Sequence, residues 1–155
     1  MIRSIVKYNG KPKNPLKSSP CKEITNFTNL TKLVRDMQDT CTAMQGVGLA
    51  ANQIGMNLRI ALIAEPKKKP FFIVNPKIVE LGEEVEDGQE GCLSCPGKFG
   101  NVKRSKYVTI DYQELDGSLR RGICCDYEAR IVQHEIDHLN NVLCVERMTD
   151  AKQTN

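Results

Sequence analysis

The chain has no long hydrophobic run, no marked excess of either charge, and only two histidines among its 155 residues. Its longest apolar stretches, Ile60 to Ala64 and Phe71 to Val74, are far too short to span a bilayer as a helix. The opening residues, Met1 to Lys7, lack the apolar core that a secretory signal needs. The expectation is a cytoplasmic or organelle-internal protein without a membrane partner. Net charge is +3, with a pI near 8.5 and the basic residues scattered. The one tight basic run, Lys67-Lys68-Lys69, precedes Pro70 and reads as a solvated turn between strands rather than a specific nucleic-acid surface.

Cysteine, by contrast, is plentiful. There are seven, at positions 21, 41, 92, 95, 124, 125 and 144. An odd number, without a signal peptide and in a chain long enough to bury a core, argues for free thiols in a reducing compartment. Metal binding by one or more of them then becomes plausible.

No repeat or linker divides the chain, so residues 1–155 read as a single domain. Residues 1–25, with Pro12, Pro15 and Pro20, form an irregular arm. Leu30, Leu33, Val34, Met37, Cys41 and Met44 build one apolar stripe at helical spacing, stopped by Gly46 and Gly48. Leu58 to Ala64 and Phe71 to Leu81 read as strands. Tyr107 to Leu115 and Leu119 to Cys124 form a hairpin about Asp116-Gly117. Asp126 is placed to cap a last helix running from Tyr127 to Leu143. The class is α+β, with antiparallel-rich sheets packed around a central C-terminal helix.

That helix carries His134-Glu135-Ile136-Asp137-His138. Residues four apart lie above one another on a helix, so both imidazoles can face one ion. Glu135 is turned about a hundred degrees away, beside the ion, where a carboxylate can move a proton to and from water. A catalytic site needs a third protein ligand and an open position. Downstream the remaining carboxylates are Glu146 and Asp150; Glu146 is too near along the chain to fold back. An upstream thiolate is the obvious supply. Cys92 and Cys95 form a Cys-x-x-Cys, which leaves a structural zinc site open as an alternative. However, Cys124 and Cys125 are adjacent rather than spaced as a second ligand pair. The other cysteines read as small buried hydrophobes.

Three segments together resemble the signature motifs of the peptide deformylase family: Gly46 to Gln53, Glu90 to Ser94, and His134 to His138. The resemblance implies metal-dependent removal of the formyl group from N-terminal formylmethionine of nascent polypeptides. It implies Cys92, His134 and His138 as metal ligands and Glu135 as general acid and base. Gln53, through its amide, and Leu93, through its backbone N–H, would hold the developing oxyanion. Val47, Gly48, Gly91, Tyr127 and Ile131 would receive substrate. The implied ion is one Fe²⁺ per chain, with Zn²⁺, Ni²⁺ or Co²⁺ able to substitute. Against the family pattern, Lys98-Phe99-Gly100 stands where many members carry an arginine, and Tyr127 and Arg130 lie where aliphatic pocket residues are common. The long C-terminal helix of many bacterial members is missing, so ribosome association is expected to be weakened. A general zinc peptidase remains the competing enzyme reading, and a zinc-stabilised binding module the competing non-enzyme one.

Overall fold

The computed structural model describes residues 1–149 and 152–153. In chain order the elements are α1 (Thr31–Ala43), β1 (Gly48–Ala50), a 3-10 turn (Ala51–Ile54), β2 (Ile60–Ile63), β3 (Phe71–Leu81), β4 (Val85–Cys92), β5 (Cys95–Ser105), β6 (Tyr107–Gln113), β7 (Leu119–Cys125), α2 (Asp126–Leu139), a second 3-10 turn (Cys144–Glu146) and β8 (Lys152–Gln153). Two sheets result, one ordered β1-β2-β3-β6-β7 and the other β4-β5-β8, and every pairing within them is antiparallel.

Alternation explains how the larger sheet takes a helix on each face. Successive side chains of a strand point to opposite sides. Ile60, Leu62, Phe72 and Val74 pack with Leu30, Met37 and Cys41, which places α1 on that face. Ala61, Ile63 and Ile73 join Val108 and Ile110 against Ala129, Ile131, Val132, Ile136 and Leu139 of α2. The middle strands are therefore buried on both sides, and their apolar runs are unbroken for that reason. On its other side α2 meets β5, so the helix lies between the two sheets.

Several boundaries differ from the sequence reading. The first helix is not stopped by a glycine: Gln45 takes the left-handed turn at φ 53, and the N–H of Gly46 closes onto the carbonyl of Cys41. This is a helix-ending loop in which Gln45 holds the position that glycine usually fills. At the start of α2, Asp126 does not act as the cap. Cys125 occupies that position without a side-chain bond, and the N–H of Asp126 goes to Lys106. The helix ends at Leu139, four residues short of the expected Leu143, because Asn141 adopts φ 61 and the N–H of Val142 returns to Asp137. Asparagine tolerates the left-handed region, and Leu143 instead packs with Leu16 and Cys95. Strands β4 and β5 were not expected. Their glycines, prolines and charges hide the pattern, and their outward faces are largely exposed. Cys125 is exposed, not buried as expected, because it lies on an edge strand.

Candidate metal centre

Strand β4 and helix α2 bring the chemistry together. His134 and His138 stand one turn apart on α2, and their Nε2 atoms are 3.2 Å from each other. Cys92, the last residue of β4, places Sγ 3.2 Å from Nε2 of His138. The three donor atoms all lie within 4.8 Å of one another. Glu146 bonds to Lys17 and to the N–H of Leu143, away from this cluster, while Asp150 lies outside the described residues.

His134 is oriented from behind, whereas Nδ1 of His138 is buried with no hydrogen-bond partner among the described residues. Nδ1 of His134 donates to Oε2 of Glu90 at 2.9 Å, which turns Nε2 toward the cluster. Glu90 also accepts from Arg104 at 2.9 and 3.0 Å and from Arg130 at 2.9 Å. Burial opposes its charge, yet His134 and Arg104 bring its pKa down to about 2. Arg104 continues to Asp137 at 2.6 Å, and Asp137 pairs with Arg147. Burial is the largest influence on His138 and, with His134 beside it, holds its pKa well below the ordinary value. It is therefore neutral, the form that can ligate a metal. On His134 burial acts the same way, but hydrogen bonds with Cys92 and Glu90 outweigh it and raise the pKa well above the ordinary value.

Glu135 is 4% exposed, and its Oε2 is buried without a hydrogen-bond partner among the described residues. Burial pushes its carboxyl up to about 7, with the charge of Glu90 adding to the effect and His134 opposing it. A Cβ on Gly48 would fall 2.5 Å from its Oε1, so only glycine there leaves room for this carboxylate. Gln53 is fixed at both ends. Its Oε1 accepts from the N–H of Ala50 at 2.9 Å, and its Nε2 reaches Ser94 Oγ at 3.2 Å and Cys92 Sγ at 3.6 Å.

A cleft of about 430 Å³ opens in front of the cluster. Of the residues singled out from sequence, Val47, Gly48, Gln53, Gly91, Cys92, Leu93, Tyr127, Ile131, His134 and Glu135 all line it. His138, 1% exposed, sits behind them. Phe99 closes on Gly91, where a Cβ would meet its ring at 2.5 Å. Sequence reasoning gave no role to Glu90, Arg104 or Lys7. Lys7 lines the cleft and donates to the carbonyl of Leu93 at 2.8 Å. The arm also bonds Val6 to Gln53 and Tyr8 to Ser94 through backbone, so it braces the residues facing the cluster.

The remaining thiols other than Cys125 are buried. Burial raises Cys21 and Cys41 to about 11 and Cys124 to about 12, which keeps them protonated. Cys95, hydrogen-bonded to Cys92 and buried, is raised further still.

The family model described as polypeptide deformylase matches residues 2–154. A peptide deformylase of Roseiflexus castenholzii is 42% identical over 138 residues, covering 79% of this chain and 75% of the relative. Peptide deformylase 1 of Bacillus cereus is 38% identical over 145 residues, 92% of each chain. Among solved structures, peptide deformylase from Thermotoga maritima superposes with a TM-score of 0.89 at 36% identity, over 97% of this chain and 99% of that one. The Met-Ala-Ser-bound class I type b peptide deformylase from Acinetobacter baumannii gives 0.88 at 33% identity, over 95% and 99% of the two chains.

Proposed function

Since the chain belongs to the polypeptide deformylase family, metal-dependent hydrolases that remove the formyl group from nascent polypeptides, we propose that Cys92, His134 and His138 hold its ion and that Glu135 moves the proton. The observation that carries this is the convergence of one thiol and two imidazole nitrogens beside a buried carboxylate oxygen that has no partner.

The donor set fits a divalent ion. A tetrahedral site with bonds of about 2.0–2.3 Å holds its donors roughly 3.3–3.6 Å apart, close to the 3.2 Å separations found here. One thiolate with two imidazoles suits Fe²⁺ or Zn²⁺, and supply decides between them. We assign Fe²⁺ as the natural ion, with Zn²⁺, Ni²⁺ or Co²⁺ able to replace it. When bound, such an ion supplies Lewis acidity that draws the pKa of water from about 15.7 toward 7.

The protein supplies the rest. Glu135, with a pKa of about 7, takes a proton from the attacking water and returns it to the leaving amine nitrogen. A group poised near the working pH serves both steps. Gln53 Nε2 and the N–H of Leu93 face the oxygen that becomes charged as the formyl carbon turns tetrahedral; one such donor contributes about 3 kcal/mol. Val47, Gly48, Gly91, Tyr127 and Ile131 receive the peptide. The relative that binds Met-Ala-Ser, a peptide beginning with methionine, supports that use of the cleft. Substrates of this kind place the enzyme in the cytoplasm or within an organelle. Cosedimentation through a sucrose gradient would measure whether it associates with ribosomes.

The decisive test is formate release from formyl-Met-Ala-Ser by anaerobically purified protein, with metal assayed on the same sample. The expected result is turnover with about one metal per chain, abolished in Glu135→Ala with the metal retained. Turnover that survives in Glu135→Ala would remove Glu135 from the proton transfer.

A further inference from the structure

Gly88 lies in the middle of β4, and its space is taken by another residue. A Cβ there would come within 2.7 Å of Cζ and Nη2 of Arg130, and 3.0 Å of Nε. The guanidinium of Arg130 thus stands where a side chain at position 88 would project. It is held there by acceptors. Nη1 donates to Oε1 of Glu90 at 2.9 Å and to the carbonyl of Val102 at 2.8 Å, and Nη2 donates to the carbonyl of Glu86 at 2.8 Å. A weaker contact joins Nη1 to the carbonyl of Gly88 at 3.4 Å.

Arg130 is 8% exposed, yet it lines the cleft together with Tyr127, Ile131 and His134 from the same helix. A guanidinium carries five N–H donors. Among the described residues, one acceptor meets Nη2 and none meets Nε. The cleft lining also includes the aliphatic Val47 and Ile131 and Glu90, whose Oε1 takes one donor of Arg130. A nearly buried cation with donors to spare is stabilised when a ligand brings an acceptor to it.

We infer that Arg130, seated over Gly88, is a specificity-determining residue that gives the first-residue pocket a cationic wall. The pocket favours formylated peptides whose first side chain ends in a hydrogen-bond acceptor over apolar chains of equal length. This rests on the cleft being the formyl-peptide site proposed above. The substrate class it adds is the N-formyl peptide whose methionine has been oxidised to the sulfoxide. That change turns an apolar side chain into a polar one, which an aliphatic wall would reject for want of a partner.

The test compares formate release from formyl-Met-Ala-Ser, formyl-norleucine-Ala-Ser and formyl-Met(sulfoxide)-Ala-Ser, in the metal-loaded wild type and in Arg130→Met and Arg130→Lys. The readout is the ratio of kcat/KM for the sulfoxide to that for norleucine. It is expected to fall about tenfold or more in Arg130→Met, as for the loss of a hydrogen bond to a charged group, and to recover in part in Arg130→Lys. Any influence of Arg130 on His134 through Glu90 lowers all three peptides alike and leaves the ratio unmoved. If Arg130→Met does not fold, Gly88→Ala displaces the guanidinium without removing it and is expected to shift the ratio at least about threefold. Turnover of formyl-Met with an unchanged ratio would overturn this inference alone. No formate from formyl-Met would overturn the reading of the cleft and this inference with it.

Discussion

Glu135 and Gly48 show how one atom decides the site. The carboxylate is buried, one oxygen has no partner, and the other lies where a Cβ on Gly48 would be. Gly48→Ala must therefore push Glu135 aside. We expect kcat to fall about a hundredfold, the usual cost of a displacement near 1 Å, with metal content unchanged. An unaltered kcat would show that the carboxylate tolerates the shift. The raised pKa makes a second prediction. Burial holds Glu135 near 7 against an ordinary 4.5, so the fold favours its protonated form. Its contribution to stability is then fully present below pH 4.5 and is lost as pH rises through 7. In metal-free protein, the stability gained by Glu135→Gln should grow by about 3 kcal/mol between pH 4 and pH 8. Urea unfolding of both proteins across that range measures the difference, and a constant gap would mean an ordinary carboxylate.

At the scale of elements, α2 works because β4 and β5 hold it through charge. Glu90 joins β4 to Arg104 of β5 and to Arg130 and His134 of α2, and Arg104 goes on to Asp137. Removing one member of a buried ionic network leaves the others uncompensated. Glu90→Ala is expected to cost about 3–5 kcal/mol in urea unfolding and to weaken metal affinity about 10- to 100-fold through His134. A loss below about 1 kcal/mol would mean that the network contributes no more than surface pairs do. The hairpin between β4 and β5 separates the roles of its two cysteines, which face each other in register. Cys95→Ser should keep the metal, since Cys95 packs with Leu16 and Leu143 behind the cluster. Loss of the metal on that substitution would revive the structural zinc site.

For the whole molecule, an ion held as proposed by Cys92, His134 and His138 would tie β4 to α2, two elements that belong to different layers. An ion that binds only the folded state stabilises it by about 4 kcal/mol at a free concentration a thousandfold above its Kd. For a chain of this size, chelation should then lower Tm by roughly 10 °C. In Cys92→Ser most of that shift should disappear, because the thiolate leaves the donor set. If the full shift persisted in calorimetry, Cys92 would not be a ligand.

The features legible in the sequence are those set over a few residues. The stripe of α1, the apolar strands β2 and β3, and the pairing of His134 with His138 follow from periods of 3.6 and 2 that neighbouring residues impose on one another. Helix ends were harder to place, because Gln45 and Asn141 hold positions where glycine is the usual signal. Strands β4 and β5 escaped because their stability comes from pairing with each other and from packing on α2, while their composition favours neither helix nor strand. Only the tertiary structure decided what stands behind Cys92, His134 and His138. Glu90 meets His134 across 44 residues and Arg130 across 40, Gly48 faces Glu135 from another layer, and Gly88 gives its space to Arg130. Such contacts depend on how layers close over one another, and no local period records them.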